Sequence, residues 1–129
     1  MIIKASAKSV RMSPRKVGVV AALVRGRTLS DAIVILENTP RSSALPVKKL
    51  VESAKANALH NYNLVEESLK LKSISVTPGP RLKRYRPAAH GRALPYEKKS
   101  SHIYVEVDGQ EKPKKKPADR KTVEKKESK

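Results

Sequence analysis

The sequence predicts an α+β fold: a small antiparallel sheet with about three helices packed on one face, plus a long protruding β-hairpin. Three observations predict it. A period of two opens the chain, and strand character returns twice near the end, over residues 69–76 and 101–107. Between the first two of these runs lie three stretches whose apolar side chains recur at helical spacing. The segment joining the last two, residues 77–100, is too long for a tight hairpin loop and too long to stay structureless in a small domain. Two strands that continue beyond the body as a ribbon account for it.

In the opening run Ile3, Ala5 and Ala7 fall on one side and Lys4, Ser6 and Lys8 on the other, the pattern of a half-buried strand. Ser13-Pro14 announces a helix, with Ser as N-cap and Pro at the first helical position, where its missing N–H is not needed. Val17, Val20, Ala21 and Val24 follow at i, i+3, i+4 and i+7, and Gly26 is the expected stop. Thr28-Leu29-Ser30-Asp31 has the form of a second capped start. Leu29, Ala32, Ile33 and Leu36 repeat the stripe until Thr39-Pro40. A third helix is expected over about 42–61 on Val47, Val51, Ala54 and Ala58, with Asn61-Tyr62-Asn63 as a turn. In the last strand Ile103, Val105 and Val107 alternate with His102, Tyr104 and Glu106. The ribbon is expected to turn near residues 88–91, each leg about 11 residues or roughly 35 Å long. Pro95 removes a ladder donor on the return leg and predicts a bulge or break there.

These elements make one domain over 1–107, with a body of 1–77 and 100–107 and an arm of about 78–99. The tail, 108–129, has Ala118 and Val123 as its only apolar side chains besides proline and is expected to be disordered.

Charge points to the partner. The chain has 29 Lys and Arg against 12 Asp and Glu, a formal net charge of +17 on 129 residues. Residues 81–105 are the densest block, with 7 basic side chains and 1 acidic. No acid occurs between Glu67 and Glu97, a stretch that holds Lys70, Lys72, Arg81, Lys83, Arg84, Arg86 and Arg92. A segment so charged and so poor in bulky apolar residues cannot order itself by burying a core, and phosphate is its natural counter-charge. A membrane partner is not expected. The longest nearly uninterrupted apolar run, residues 17–24, is far short of the about 20 residues a spanning helix needs. There is no signal-peptide pattern and no cysteine, so the chain reads as cytosolic, without disulfides or thiol chemistry. His60, His90 and His102 are dispersed, which predicts no metal site. With no catalytic constellation either, no enzyme activity and no cofactor are expected.

Three ordered motifs carry a resemblance. They are Ala7-Lys8-Ser9-Val10-Arg11-Met12-Ser13-Pro14-Arg15-Lys16, then Glu52-Ser53-Ala54-Lys55-Ala56-Asn57-Ala58-Leu59-His60-Asn61, then Arg86-Pro87-Ala88-Ala89-His90-Gly91-Arg92-Ala93 followed by Ser100-Ser101-His102-Ile103-Tyr104-Val105. Over residues 1 to about 107 the chain resembles the family of bacterial large-subunit ribosomal protein twenty-two. The resemblance implies a structural, non-enzymatic constituent of the large ribosomal subunit, in the cytoplasm. It implies a body near the tunnel exit that binds large-subunit ribosomal RNA and supports assembly. It also implies a hairpin whose tip lines the nascent-peptide exit tunnel. Neighbouring large-subunit ribosomal proteins and the nascent polypeptide are the implied further partners. The tip departs from the family habit: His90 stands where a basic residue is usual, and Arg86 lies upstream.

Charge and resemblance together nominate Lys8, Arg11, Arg15, Lys16, Arg25, Arg81, Lys83, Arg84, Arg86, Arg92, Lys98 and Lys99 as ribosomal-RNA contacts. The expected tunnel tip is Lys83, Arg84, Tyr85, Arg86, Pro87, Ala88, Ala89, His90, Gly91 and Arg92. The plain alternative for the cations is a solvated face; the long acid-free stretch and the unsupported ribbon weigh against it. Arg15 and Lys16 sit at a helix start, where the macrodipole disfavours cations. Tyr85 and Tyr96 either stack on exposed bases or pair across the ribbon. A rival class is a DNA-bending ribbon protein that wedges base steps with Pro87. Such proteins usually dimerise, whereas no large apolar helix face beyond what the sheet covers is expected here, and no homo-oligomer.

Overall fold

The computed structural model describes residues 2–111; residues 112–129 of the expected tail lie outside the described residues. Strand β1 (Ile2–Val10) is followed by helices α1 (Pro14–Val24), α2 (Leu29–Asn38) and α3 (Ala44–Tyr62), then by two long strands, β2 (Lys70–Pro87) and β3 (Ala93–Asp108). The sheet order is β1-β3-β2, antiparallel throughout, so the last strand is the middle one.

The period-two and helical stripes meet in one core. Ile3 of β1, Leu71 and Ile74 of β2, and Ile103, Val105 and Val107 of β3 are buried with Val17, Val20 and Val24 of α1, Leu29 and Leu36 of α2, and Val47 and Val51 of α3. The chain has no Phe or Trp, so small branched side chains fill this space, each contributing about 1.5–3 kcal/mol when fully buried. Ala54 and Ala58 are fully buried on α3, where their small size lets the helix lie close to its neighbours. The Thr28 hydroxyl caps α2 by accepting from the Asp31 N–H at 3.2 Å.

Three local expectations change. Ser13 makes no side-chain cap; its carbonyl instead takes the N–H groups of Lys16 and Val17 at 3.1 and 3.3 Å. The turn read at 61–63 begins later, because α3 runs through Tyr62 and Asn63 alone adopts the left-handed conformation, φ 49°. Asparagine tolerates that geometry, and the Leu64 N–H closes the end onto the Ala58 carbonyl. Pro95 causes no break: Tyr85 faces Pro95 in an unshifted register from Arg81↔Lys99 to Pro87↔Ala93. Beyond the body β3 has a partner on one side only, so a missing donor is tolerated. Val19 and Leu23, one turn apart on α1, are 47% and 48% exposed and form a short apolar strip outside the core.

The irregularities cluster elsewhere. β2 slips by one residue between Leu71 and Ser73, which lets Leu71 and Ile74, three apart, share the buried face. Two further slips, Ala7/Val10 on β1 and Pro78/Arg81 on β2, lie opposite Ser100–His102 of β3. They mark where the three-stranded body ends and the two-stranded arm begins. β3 ends at Asp108; past it the Val65 N–H still donates to the Gln110 carbonyl and the Gln110 N–H to Ser68 Oγ.

Candidate nucleic-acid interface

The root of the arm is built around Pro78-Gly79-Pro80. Two prolines and a glycine suit a strand that must carry an extra residue and bend. A Cβ on Gly79 would lie 2.7 Å from Ser100 Oγ and 3.3 Å from the His102 ring, so the backbone of β2 approaches β3 closely there. Ser100 Oγ donates to the Pro80 carbonyl at 2.6 Å. On the other side of β3, the Ser9 N–H donates to His102 Nδ1 at 2.9 Å, and Ser9 takes φ 57°. His102 thus sits between the two bulges at the arm root, bonded to Ser9 on β1 and close to Gly79 on β2.

This junction brings the start of α1 against the arm. A cleft of about 400 Å³ is lined by Ser13, Pro14, Arg15, Lys16, Pro78, Gly79, Arg81, Lys99 and Ser100. A second, of about 560 Å³, shares Ser13, Lys16 and Lys99 and adds Arg11, Lys98 and Glu97. Six of the nominated cations therefore converge on the arm root, although they come from the β1–α1 link, α1, β2 and β3. The acid there, Glu97, pairs with Arg81 at 3.5 Å. The first turn of α1 has no acidic residue and no side-chain cap, so Arg15 and Lys16 add charge to an already positive helix end. That arrangement costs the free protein and suits an anion between them.

The arm itself carries Lys83, Arg84, Arg86 and Arg92. No residue from Pro80 to Lys99 is buried. Among the described residues Lys83, Arg84, Arg92, Lys98 and Lys99 form no ion pair; Arg84 only donates to the neighbouring Lys83 carbonyl at 2.8 Å. The tip closes with the Ala88 N–H on the Arg92 carbonyl at 2.7 Å, and His90 and Gly91 both adopt positive φ, 58° and 70°. A glycine is needed at the second of these. Two nominated residues stand apart. Lys8 lies in the β1 slip and lines neither cleft, and Arg25, past α1, spends its guanidinium on the Ile74 carbonyl at 3.1 Å. Sequence reasoning missed Gly79, Ser100 and His102 as the hinge; Pro78-Gly79-Pro80 inside a strand was the available signal.

A small α+β body with a long, coreless, positively charged ribbon has the build of a ribosomal protein. The chain belongs to the ribosomal protein L22p/L17e family, whose model matches residues 5–108. It is 50% identical over 104 residues to the large ribosomal subunit protein uL22 of Desulfitobacterium hafniense strain Y51, covering 81% of this chain and 91% of the relative. It is 48% identical over 107 residues to the protein of that name from Clostridioides difficile strain 630, covering 83% and 96%. Membership makes it a structural protein of the large ribosomal subunit, which is cytoplasmic in bacteria, and not an enzyme.

Proposed function

We propose that the protein binds large-subunit ribosomal RNA through the arm and the cleft at its root, supports subunit assembly, and lines the nascent-peptide exit tunnel with the tip at residues 83–92. The observation that carries this is the arm's charge without a core. A ribbon with no buried residue, and with five cations that form no ion pair among the described residues, gains its order from outside, and an RNA phosphate backbone supplies both surface and counter-charge. The relatives are named as large-subunit proteins, which makes ribosomal RNA the polyanion at hand. Neighbouring ribosomal proteins have the exposed Val19 and Leu23 strip of α1 to pack on. The nascent polypeptide is the partner of the turn that His90 and Gly91 form.

The test separates body from tip. Residues 86–92 are replaced by a short Gly-containing turn, which touches no buried side chain. Large subunits should still take up the protein, while stalling by tunnel-sensing nascent peptides and inhibition by tunnel-binding drugs should change. Normal uptake with both responses unaltered would remove the tunnel role.

A further inference from the structure

The two tyrosines of the arm are not equivalent. Arg84 faces Tyr96 and Tyr85 faces Pro95 across the ribbon. Residues directly opposite one another share a face, and successive residues alternate, so the two rings stand on opposite faces. They do not pair with each other. Tyr96 already has a partner, because the Arg86 guanidinium lies over its ring, 4.8 Å from the centroid.

Tyr85 has no such cover. It is 68% exposed, the most exposed of the large apolar and aromatic side chains described. It stands in an open groove of about 610 Å³, in which Lys83, Pro95, Glu97 and Lys99 share its face of the ribbon. Lys83 and Lys99 have no carboxylate partner among the described residues, and Glu97 is engaged by Arg81. The residue opposite, Pro95, has a short side chain, and most of the Tyr85 side chain stays open to solvent. The result is an exposed aromatic surface on the two-stranded arm, with Lys83 and, further toward the arm root, Lys99 on the same face. Single-stranded RNA is held by this combination, with rings for the bases and ammonium groups for the phosphates.

We propose that Tyr85 is a base-stacking site: it takes one unstacked nucleobase of RNA on its ring, with Lys83 and Lys99 on the adjoining phosphates, while Arg86 keeps Tyr96 out of stacking. The inference rests on the arm being RNA-bound.

The test uses the full chain and transcribed large-subunit ribosomal RNA, with binding measured over a salt series. Tyr85→Ala should weaken binding about fivefold or more at any one salt concentration, the range seen for a lost base–aromatic stack. The salt slope should stay unchanged, because no phosphate contact is lost. Tyr85→Phe should bind as the parent does, and Tyr96→Leu should have the smaller effect. Unfolding midpoints of all three should match the parent, since neither ring is in the core. Parent-like affinity of Tyr85→Ala would overturn the stacking site. So would equal losses in Tyr85→Phe and Tyr85→Ala, which would mean that the hydroxyl is what RNA reads. Neither result touches the RNA-binding role itself. That role is tested by the slope of the Lys83, Arg84 and Arg92 variant, and if it failed, the stacking site would fall with it.

Discussion

Gly79→Ala tests whether the arm root is a built hinge. The position does not need glycine for its φ; it needs the space. The new methyl would lie 2.7 Å from Ser100 Oγ, closer than such atoms tolerate, and 3.3 Å from two atoms of the His102 ring. Ser100 is buried, 6% exposed, and relieves the clash only by turning its hydroxyl off the Pro80 carbonyl. Losing that bond costs about 1 kcal/mol, and leaving the carbonyl unsatisfied adds to it. Displacing the His102 ring also loosens the Ser9 N–H bond to Nδ1. A total of about 1–2 kcal/mol follows, or roughly 4–8 °C of melting temperature per kcal/mol for a domain near this size. The assay is urea unfolding followed by far-ultraviolet circular dichroism on the single variant, on Ser100→Ala, and on the pair. The methyl's main victim is gone in Ser100→Ala, so the double variant should be less destabilised than the sum of the singles. A parent-like midpoint for Gly79→Ala, or strict additivity, would refute the hinge reasoning.

Three other outcomes are expected. Gly109→Ala pushes a Cβ to 2.6 Å from Leu69 Cδ2 and 3.0 Å from Leu64 Cδ1, both buried, and should cost about 1–3 kcal/mol in denaturant unfolding. Lys48 Nζ bridges Glu37 on α2 at 2.8 Å and Glu52 at 3.5 Å, and the hydrogen bond to Glu37 raises its pKa above the ordinary lysine value. The stability it adds is complete below that ordinary value and lost as pH rises through the raised one. The gap in melting temperature between parent and Lys48→Met should therefore close in strongly alkaline buffer. In the RNA-free protein, amides from Lys83 to Ala93 should exchange fast while those from Val17 to Val24 are protected, as mass spectrometry would read.

The body was legible because its signals are local. Val17, Val20, Ala21 and Val24 sit on one helical face whatever surrounds them, and Ile103, Val105 and Val107 alternate whatever they pair with. The ribbon was legible by elimination, from a basic segment too long for a loop. The register slips were not. Leu71 and Ile74 break a period of two, and only pairing with Val107 and Val105 shows both on one face. Nor was the cleft at the arm root, since Arg15 and Arg81 are far apart in sequence and meet only when β2 bends at Gly79. Tyr85 and Tyr96 looked alike until register put them on opposite faces.

The central claim is that uncompensated charge on the arm meets RNA phosphate. The direct measurement is the salt dependence of binding to large-subunit ribosomal RNA for the parent and for Lys83, Arg84 and Arg92 changed together to Ala. Each lost phosphate contact should flatten the log–log slope by roughly one unit, about two to three units in all, with the body still folded. A slope equal to the parent's would mean that these side chains do not meet phosphate, and would contradict the account.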